Sequence, residues 1–328
     1  MNTIISKAAL IFLACFGTAQ GQPTPPVPAG YPTKPIRVVV TSAAGGGLEI
    51  VTRTVMERVG QRLGKPVIID VQAGGTGVIG TQIVASSTAD GYTVLGTGDS
   101  LIINGVLKKL PFDVRLVLTP VQRTTIQYYM FFVHSSVPVN NVRELLAYAK
   151  ANPGKLNFAS SGTGGAAHLG MELIKSKVGG LQTTHIPYPG NPQAINALLS
   201  GEIHAALLPP GLAMPHIKAG TLRVVGTASE TRSPLAPELP TLREASIFGV
   251  DLELITALAA PATISSAIRN KLGAAVIDVV KAPDTRQRLV TAGWRPTPSN
   301  FEGLSSKIRS ETRILGGIIL IRNIRVES

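Results

Sequence analysis

Short apolar runs alternate with stretches of helical periodicity along most of this 328-residue chain. Apolar runs typical of buried strands occupy residues 36–40, 66–70, 92–95, 128–133, 156–159, 184–187, 205–208 and 223–226. Between and after them, helices are predicted over residues 48–63, 79–87, 141–150, 167–178, 266–281 and 284–292. Because strands that alternate with helices form parallel sheets with helices on both faces, this pattern predicts an α/β fold.

A change of pattern near residue 132 divides the chain into two lobes, each predicted to hold a mostly parallel sheet flanked by helices. We expect residues 31–132 to form the first part of lobe 1 and residues 133–253 to form lobe 2. Residues 254–328 are expected to return to lobe 1. A chain of this length buries a large core and is more easily divided into two lobes than folded around one core.

The first 21 residues have the features of a signal peptide rather than of a folded segment. Lys7 precedes an apolar stretch at residues 8–16 that is too short to cross a bilayer. Cys15, the only cysteine, lies in this stretch, but Phe12 stands where a lipoprotein signal has an aliphatic residue. We therefore expect a periplasmic protein without a lipid anchor, with a proline-rich leader at residues 22–30 and no disulfide or cysteine-bound metal.

Three glycine-rich turns, at residues 41–47, 73–80 and 160–165, each follow a predicted strand and open a predicted helix. Such a turn leaves backbone N–H groups unpaired at the positive end of the helix dipole, where they bind anions. In open α/β sheets these turns lie at the carboxyl ends of the strands, which is where ligands bind. The turns therefore predict a solute-binding cleft between the lobes.

Charge and composition narrow the class of ligand. The chain has 31 basic and 19 acidic side chains, a net charge of +12, but no block of five like charges, and only 5% of its residues are aromatic. Export and this scatter of charge disfavour nucleic acid as a partner. A small anion is the ligand that the composition favours.

Two motifs would instead indicate an enzyme. Residues 75–80 match the dinucleotide fingerprint GxGxxG, but the helix that follows is short and the periplasm is poor in NAD, so we expect no cofactor. Residues 98–101 read Gly-Asp-Ser-Leu, the signature of the GDSL esterases, with Ser100 as the nucleophile. That chemistry needs a histidine three residues after an aspartate near the C-terminus, whereas the last histidine here is His216.

The remaining polar residues suggest no metal site or catalytic triad. The five histidines lack metal-ligand spacing, and His168 and Glu172, four residues apart on a helix, are interpreted as an ordinary polar pair. Ser160 and Ser161 have no predicted base beside them, so we interpret them as helix-capping or ligand-binding hydroxyls.

Six segments in one order resemble the Bug family, the extracytoplasmic solute receptors of tripartite tricarboxylate transporters. The resemblance covers residues 31 to about 309 and rests on residues 31–37 (YPTKPIR), 90–93 (DGYT), 109–113 (KLPFD), 152–157 (NPGKLN), 185–188 (HIPY) and 215–220 (PHIKAG). It implies a two-lobed periplasmic binding protein that closes on a small carboxylated solute, has no enzymatic activity, and passes the solute to membrane transporter subunits. We expect it to act as a monomer.

The resemblance also implies where the ligand binds. Carried over by position, the ligand-binding residues are Ser42, Ala43, Gly45, Gly46, Gly74, Gly75, Thr97, Asp99, Ser100, Ser160, Ser161, Gly162, Thr163, His168, Tyr188 and Asn191. Glycine lets a backbone approach the ligand closely, and N–H groups and hydroxyls bind carboxylate oxygens.

Several positions depart from the family pattern, so the substrate cannot be carried over. The first turn has Thr41 to Gly46 where Pro-Phe-Pro-Pro-Gly-Gly is usual, Leu208 replaces an acidic residue, and Ile255 and Thr256 replace aromatic residues. After Arg309 the expected amphipathic helix gives way to an apolar run at residues 314–321, which is too short to span a membrane.

Two acidic residues fall at the predicted cleft. Glu49 lies in the first turn of a helix and is explained by capping, whereas Asp99 either forms a turn with its own backbone or faces the pocket. We expect an Asp99 that faces the pocket to favour a ligand with an amino group beside its carboxylate. Two other functions stay open from sequence alone: a secreted hydrolase that uses Ser100, and a receptor that reports to a signalling sensor.

Overall fold

The computed structural model describes residues 27–74, 77–107, 112–211 and 213–324. The strands are β1 (Ile36–Val40), β2 (Val67–Val71), β3 (Thr93–Gly98), β4 (Leu118–Tyr128), β5 (Met130–Val133), β6 (Asn157–Ser160), β7 (Thr184–Pro187), β8 (Ala205–Leu208), β9 (Arg223–Thr227), β10 (Glu253–Pro261) and β11 (Arg295–Ser299). The helices are α1 (Gly47–Leu63), α2 (Val78–Ala85), α3 (Ser100–Leu107), α4 (Val114–Val117), α5 (Val142–Ala151), α6 (Ala166–Val178), α7 (Asn191–Leu199), α8 (Met214–Lys218), α9 (Ser266–Lys281), α10 (Pro283–Thr291) and α11 (Phe301–Ile321).

The strands form two mixed sheets, one in each lobe. The first has the order β11-β4-β10-β3-β1-β2 and the second the order β7-β6-β8-β5-β9. In the first sheet β1 is parallel to β2 and β3, and β10 is antiparallel to both β3 and β4. In the second sheet β6 is parallel to β7 and β8, and β5 is antiparallel to both of its neighbours.

Apolar side chains on both faces of each sheet explain why helices cover both faces. In β1 four of five residues are buried, as expected for a strand inside a parallel sheet. Val51, Val55 and Val59 of α1 are fully buried against that sheet. The burial of each such apolar side chain stabilises the fold by about 1.5–3 kcal/mol. Gly64, with φ +71°, ends α1 in the left-handed conformation that glycine accepts readily.

The chain crosses between the lobes at two adjacent segments. The sequence predicted a single strand at residues 128–133, but the structure divides this stretch at Tyr129, because β4 belongs to the first sheet and β5 to the second. The N–H of Tyr129 donates to the carbonyl of Leu252 at 3.2 Å, and its carbonyl accepts from the N–H of Ala228 at 2.8 Å. The segments that leave and re-enter lobe 1 are therefore hydrogen bonded to each other.

The C-terminal helix α11 packs against both lobes. The sequence has an apolar run at residues 314–321 where the family pattern implies an amphipathic helix, and the structure includes this run in one helix that ends at Ile321. Leu304 and Ile308 pack in the core of lobe 1, whereas Ile318 packs in the core of lobe 2. The Arg322 guanidinium is 2.8 Å from the carboxylate of Glu172 in lobe 2. Among the described residues, no helix combines the length and apolar character needed to cross a membrane.

Candidate ligand-binding cleft

The topology places the glycine-rich turns of the two lobes on facing sheet edges. The chain leaves lobe 1 at the carboxyl end of β4, which runs parallel to β1, β2 and β3 because β10 is antiparallel to both β4 and β3. It enters lobe 2 at the amino end of β5, which is antiparallel to β8, so the carboxyl ends of β6, β7 and β8 lie at that edge. The turns after β1, β2, β3, β6 and β7 therefore border the space between the lobes.

The lobe 1 cradle, defined here as residues 41–49, joins β1 to α1. Gly45 has φ +73°, and the N–H of Gly46 donates to the carbonyl of Ala43 at 3.1 Å. The hydroxyl oxygen of Ser42 is buried and has no partner among the described residues. Gly47 lies against the ring of Trp294, where an added Cβ would be only 2.9 Å from Cζ2. The cradle therefore requires glycine at this point, as the strand-turn-helix pattern predicted.

A carboxylate of the protein itself occupies part of the lobe 1 cradle. Glu49 is 6% exposed, and its Oε2 accepts from the N–H of Gly45 at 3.3 Å. Its Oε1 accepts from Nε of Arg53 at 2.6 Å. The capping role predicted for Glu49 is confirmed, and its negative charge lies beside the N–H groups that would face a ligand.

The turns after β2 and β3 contact each other. Gly77, with φ +87°, leaves so little space that an added Cβ would be 3.1 Å from both Ser100 and Thr41. The hydroxyls of Thr97 and Ser100 are 3.0 Å apart. Gly74 has φ +130°, and the predicted site residue Gly75 lies outside the described residues. Thr97 thus gives Ser100 a hydroxyl neighbour, and no histidine base hydrogen bonds to Ser100 among the described residues.

The lobe 2 cradle, defined here as residues 160–165, joins β6 to α6. Gly162 has φ +121°, and Gly165 donates its N–H to the carbonyl of Gly162 at 3.2 Å. Within the described part of the chain, the N–H groups of Ser161, Gly162 and Thr163 find no hydrogen-bond partner. These three donors lie in the turn that leads into the N-cap, Gly165, of a 13-residue helix whose dipole favours an anion at this end.

Two histidines hold the lobe 2 cradle in shape. Ser160 is fully buried, and its hydroxyl lies 3.0 Å from the carbonyl of Gly162 and 2.7 Å from Nε2 of His185. Nδ1 of His168 accepts from the N–H of Gly164 at 3.0 Å, so the His168 proton is on Nε2. The two imidazoles stack with centroids 3.9 Å apart. The prediction that no base lies beside Ser160 is wrong, because β6 and β7 are adjacent and bring His185 to it.

The environment of the two histidines favours the neutral rings. Burial, together with the nearby His168 and Lys175, lowers the pKa of His185 to about 4. Burial also lowers the pKa of His168. Glu172 is not the hydrogen-bond partner of His168 that the spacing suggested, because its carboxylate binds Lys175 at 2.7 Å and Arg322 at 2.8 Å. At neutral pH the pair acts as an uncharged support for the lobe 2 cradle.

The turn after β7 supports the same cradle through its backbone. Tyr188 donates its N–H to the carbonyl of Ser160 at 2.9 Å, and its hydroxyl donates to Glu202 at 2.7 Å. Burial and the Glu202 carboxylate raise the pKa of Tyr188 to about 12. Asn191 begins α7 beside this turn. Tyr188 thus fixes the position of the cradle while its hydroxyl is bound to Glu202.

Asp99 contacts the hinge. Its Oδ1 accepts from the N–H of Ile255 at 3.0 Å, and its Oδ2 is 3.5 Å from the hydroxyl of Tyr129. It is 8% exposed and borders a cavity of about 590 Å³ between α3, α6 and α11. Burial, with repulsion from Glu311, raises its pKa to about 8. Asp99 therefore does not form the turn considered from sequence, and its carboxyl group is mostly protonated at pH 7.

The cleft has neutral hydrogen-bond donors and no basic side chain in its turns. Residues 41–49, 97–100, 160–165 and 188–191 contain neither lysine nor arginine. Among the described residues, no group of three or more histidine, cysteine, aspartate and glutamate side chains could hold a metal ion. Sequence reasoning did not identify His185 and Trp294 as part of the site, since both come from segments distant in sequence. The neutral N–H and O–H groups of the cleft can bind carboxylate oxygens.

Comparison with known proteins identifies the family. Residues 51–324 match the model of the tripartite tricarboxylate transporter family receptor, TctC. A UPF0065 protein of Bordetella pertussis is 33% identical over 292 residues, which cover 88% of this chain and 90% of that protein. Protein BugT of the same organism is 32% identical over 238 residues, or 71% of each chain.

A solved structure shows the same fold. The R. palustris protein Rpa4515, solved with adipate, superposes with a TM-score of 0.81 over 90% of this chain and 99% of that one, at 24% identity. The two-lobed α/β fold predicted from sequence is thereby confirmed. The chain belongs to the TctC, or Bug, family of tripartite tricarboxylate transporter receptors, whose members are periplasmic solute-binding receptors and not enzymes.

Proposed function

We propose that this protein captures a small carboxylated solute between its two lobes and delivers it to the membrane subunits of a tripartite tricarboxylate-type transporter. The observation that carries the proposal is the lobe 2 cradle, where three unpaired N–H groups lie in the turn just before a helix N-terminus. A carboxylate satisfies such donors and interacts favourably with the helix dipole. The adipate bound by the R. palustris relative in fold supports the same ligand class.

Closure of the lobes around the solute is the proposed mechanism. The lobes are joined by two hydrogen-bonded crossing segments, around Tyr129 and Leu252, which can absorb a rotation. Closure would bring the lobe 1 cradle and the turn after β3 toward the lobe 2 cradle, so that the solute is held from both sides. Because the donors in the cleft are neutral, no salt bridge between protein and solute has to break when the lobes open and the solute is released.

The test is a thermal-shift panel on protein purified without refolding. Succinate, malate, adipate and aspartate are compared with succinamide, the neutral diamide of succinate. A ligand that binds only the native state raises the melting temperature by mass action, so at least one carboxylate should raise it and succinamide should not. Small-angle scattering with that carboxylate should show a smaller radius of gyration.

A second experiment distinguishes the receptor from a hydrolase that uses Ser100 of the Gly-Asp-Ser-Leu motif. Hydrolysis of a p-nitrophenyl ester that is lost in Ser100→Ala would contradict the proposal, as would a panel without any shift.

Cross-linking to membrane subunits in cells tests delivery to a transporter, and cross-linking to a sensor kinase instead would contradict that part. Light scattering on the eluted protein tests the expected monomer.

A further inference from the structure

A second groove between the lobes lies outside the predicted ligand turns. This hinge groove, about 720 Å³ in volume, follows the edge strands β9 and β11. Its apolar wall consists of Met130, Ile217, Leu222, Leu235, Leu239 and Val290. None of the residues of the lobe 1 or lobe 2 cradle lines it. Its volume falls in the range of small-molecule sites, which are typically apolar with a few polar groups.

Both lobes contribute to the groove. Gly211 of lobe 2 lies so near lobe 1 that an added Cβ would be 3.8 Å from Nε2 of Gln127 and 4.0 Å from the carbonyl of Ala292. Gln127 in turn donates to the carbonyl of Gly293 at 2.7 Å, which fixes the turn between α10 and β11. The lobe 1 side of the groove is therefore a built wall.

Among the described residues, three charged side chains line the groove, and neither of its two arginines has a carboxylate within ion-pair distance. The guanidinium of Arg223 is tied to the carbonyls of Ser135 and Val137. Arg295 is half-buried and has no carboxylate within ion-pair distance in the described part of the chain. Its Nη1 is 3.5 Å from the hydroxyl of Tyr128. The third charge is the carboxylate of Glu238.

A neighbouring guanidinium, that of Arg123, lies outside the lining of the groove. Arg123 donates from Nε to the carbonyl of Thr297 at 2.9 Å, on the same pair of strands as Arg295. Burial lowers the pKa of Arg123, and the charge of Arg295 lowers it further. The carboxylates of Glu253 and Glu311 act in the opposite direction, so the positive charge that lines this end of the groove is that of Arg295.

We propose that the hinge groove is a second binding site, for a monocarboxylate with an apolar alkyl or aryl body. Arg295 binds the carboxylate, and the apolar side chains of lobe 2 contact the hydrocarbon. A dicarboxylate fits less well, because Glu238 would repel a second negative charge and the other arginine of the groove, Arg223, already donates to the carbonyls of Ser135 and Val137. This site is separate from the cradles, so it does not depend on the proposed transport function.

Calorimetric titration with 4-phenylbutyrate tests the site, with 4-phenylbutyramide as the neutral control. The carboxylate should bind, and the amide should bind at least tenfold more weakly. Arg295→Gln should lower the affinity for 4-phenylbutyrate at least tenfold. Arg288→Gln removes the same charge from an exposed position of α10 and should change that affinity less than twofold.

Two further variants keep the result decisive if Arg295→Gln folds poorly. Leu235 is 37% exposed, so Leu235→Glu should fold normally and abolish binding, whereas Leu116→Glu, at a position 76% exposed and away from the groove, should not. Gly162→Val, in the lobe 2 cradle, should leave 4-phenylbutyrate binding unchanged. No binding to the wild type, equal binding of acid and amide, or loss of binding in Gly162→Val would overturn the proposal.

Discussion

The two cradles have the same strand-turn-helix design but differ in what stands beside their N–H groups. In lobe 1 the carboxylate of Glu49 binds the N–H of Gly45, and Arg53 partly neutralises it. In lobe 2 the nearest titratable groups are His168 and His185, both kept neutral by burial. The comparison teaches that glycine spacing alone does not define an anion site: the charge next to the donors decides which cradle takes the more negative end of the solute.

The largest expected effect comes from filling the lobe 2 cradle. Gly162→Val should weaken the binding of the best carboxylate at least a hundredfold, because φ +121° is closed to a β-branched residue and the donors would shift. Gly154→Val is the matched control, since Gly154 also has a positive φ, +76°, and open space around it. Calorimetry measures both. Equal affinities in the two variants would remove the lobe 2 cradle from the site.

The next effect concerns the hinge between the cradles. The raised pKa of Asp99, about 8, means that the folded state binds a proton that the unfolded chain releases near pH 4. Wild-type stability therefore falls as pH rises from about 4 to 8. Asp99→Asn should remove this loss and stabilise the protein at pH 9 by on the order of 2 kcal/mol.

Urea unfolding at pH 6 and pH 9 measures the Asp99 effect. Asp278→Asn serves as control, because Asp278 forms an exposed pair with Arg62 and should give the same small change at both values. A wild type and an Asp99→Asn variant with parallel pH profiles would show that Asp99 is charged in the folded protein.

A smaller effect should appear at acidic pH, because histidines support the lobe 2 cradle. Since the folded-state pKa of His185 is lowered to about 4 from a usual value near 6.5, its contribution to stability is complete above pH 6.5 and is lost as pH falls toward 4. The loss should be on the order of 1 kcal/mol once solvent screening of a partly exposed ring is allowed for. Protonation of His168, whose pKa burial also lowers, should weaken carboxylate binding, because a protonated His168 cannot accept from Gly164.

His185→Gln should flatten the acid dependence of both stability and affinity, whereas His216→Gln, on α8, should not. Urea midpoints and calorimetric titrations at pH 7.5, 6 and 5 give the comparison. An acid dependence that survives in His185→Gln with its full size would contradict the role assigned to the stacked pair.

The smallest effect tests the charge of the lobe 1 cradle. Glu49→Gln should raise the affinity for dicarboxylates a few-fold, because a repulsive carboxylate is replaced by a neutral group that still accepts from Gly45. Glu57→Gln is the control, since Glu57 also pairs with Arg53 but is exposed on the next turn. Calorimetry with succinate should separate the two variants, and unchanged affinity in Glu49→Gln would place the dicarboxylate away from lobe 1.

The parts that the sequence predicted are those set by neighbouring residues. The apolar strands and the glycines that follow them are local patterns, and so is the capping acid Glu49. The missed features depend on pairing between distant segments. His185 reaches Ser160 only because β7 lies beside β6, and Trp294 reaches Gly47 across about 250 residues.

Of strand β4, the sequence pattern predicted only the last residue, Tyr128, for a related reason. Its threonines and glutamines look like an exposed stretch, yet Thr124 and Thr125 are buried and share hydrogen bonds with Thr256 of β10. Thr256 satisfies the hydrogen bonding of these buried hydroxyls, but it is more than 130 residues away in sequence. No local pattern therefore indicates that the stretch is a buried strand.

The most direct test of the central claim is an NMR titration of ¹⁵N-labelled protein with the carboxylate that gives the largest thermal shift. The amide signals of Ser161, Gly162 and Thr163 should move downfield and give the dissociation constant found by calorimetry. The amide of Gly45, already bound to Glu49, should move less. Binding by calorimetry with no movement of the three lobe 2 amides would contradict the account.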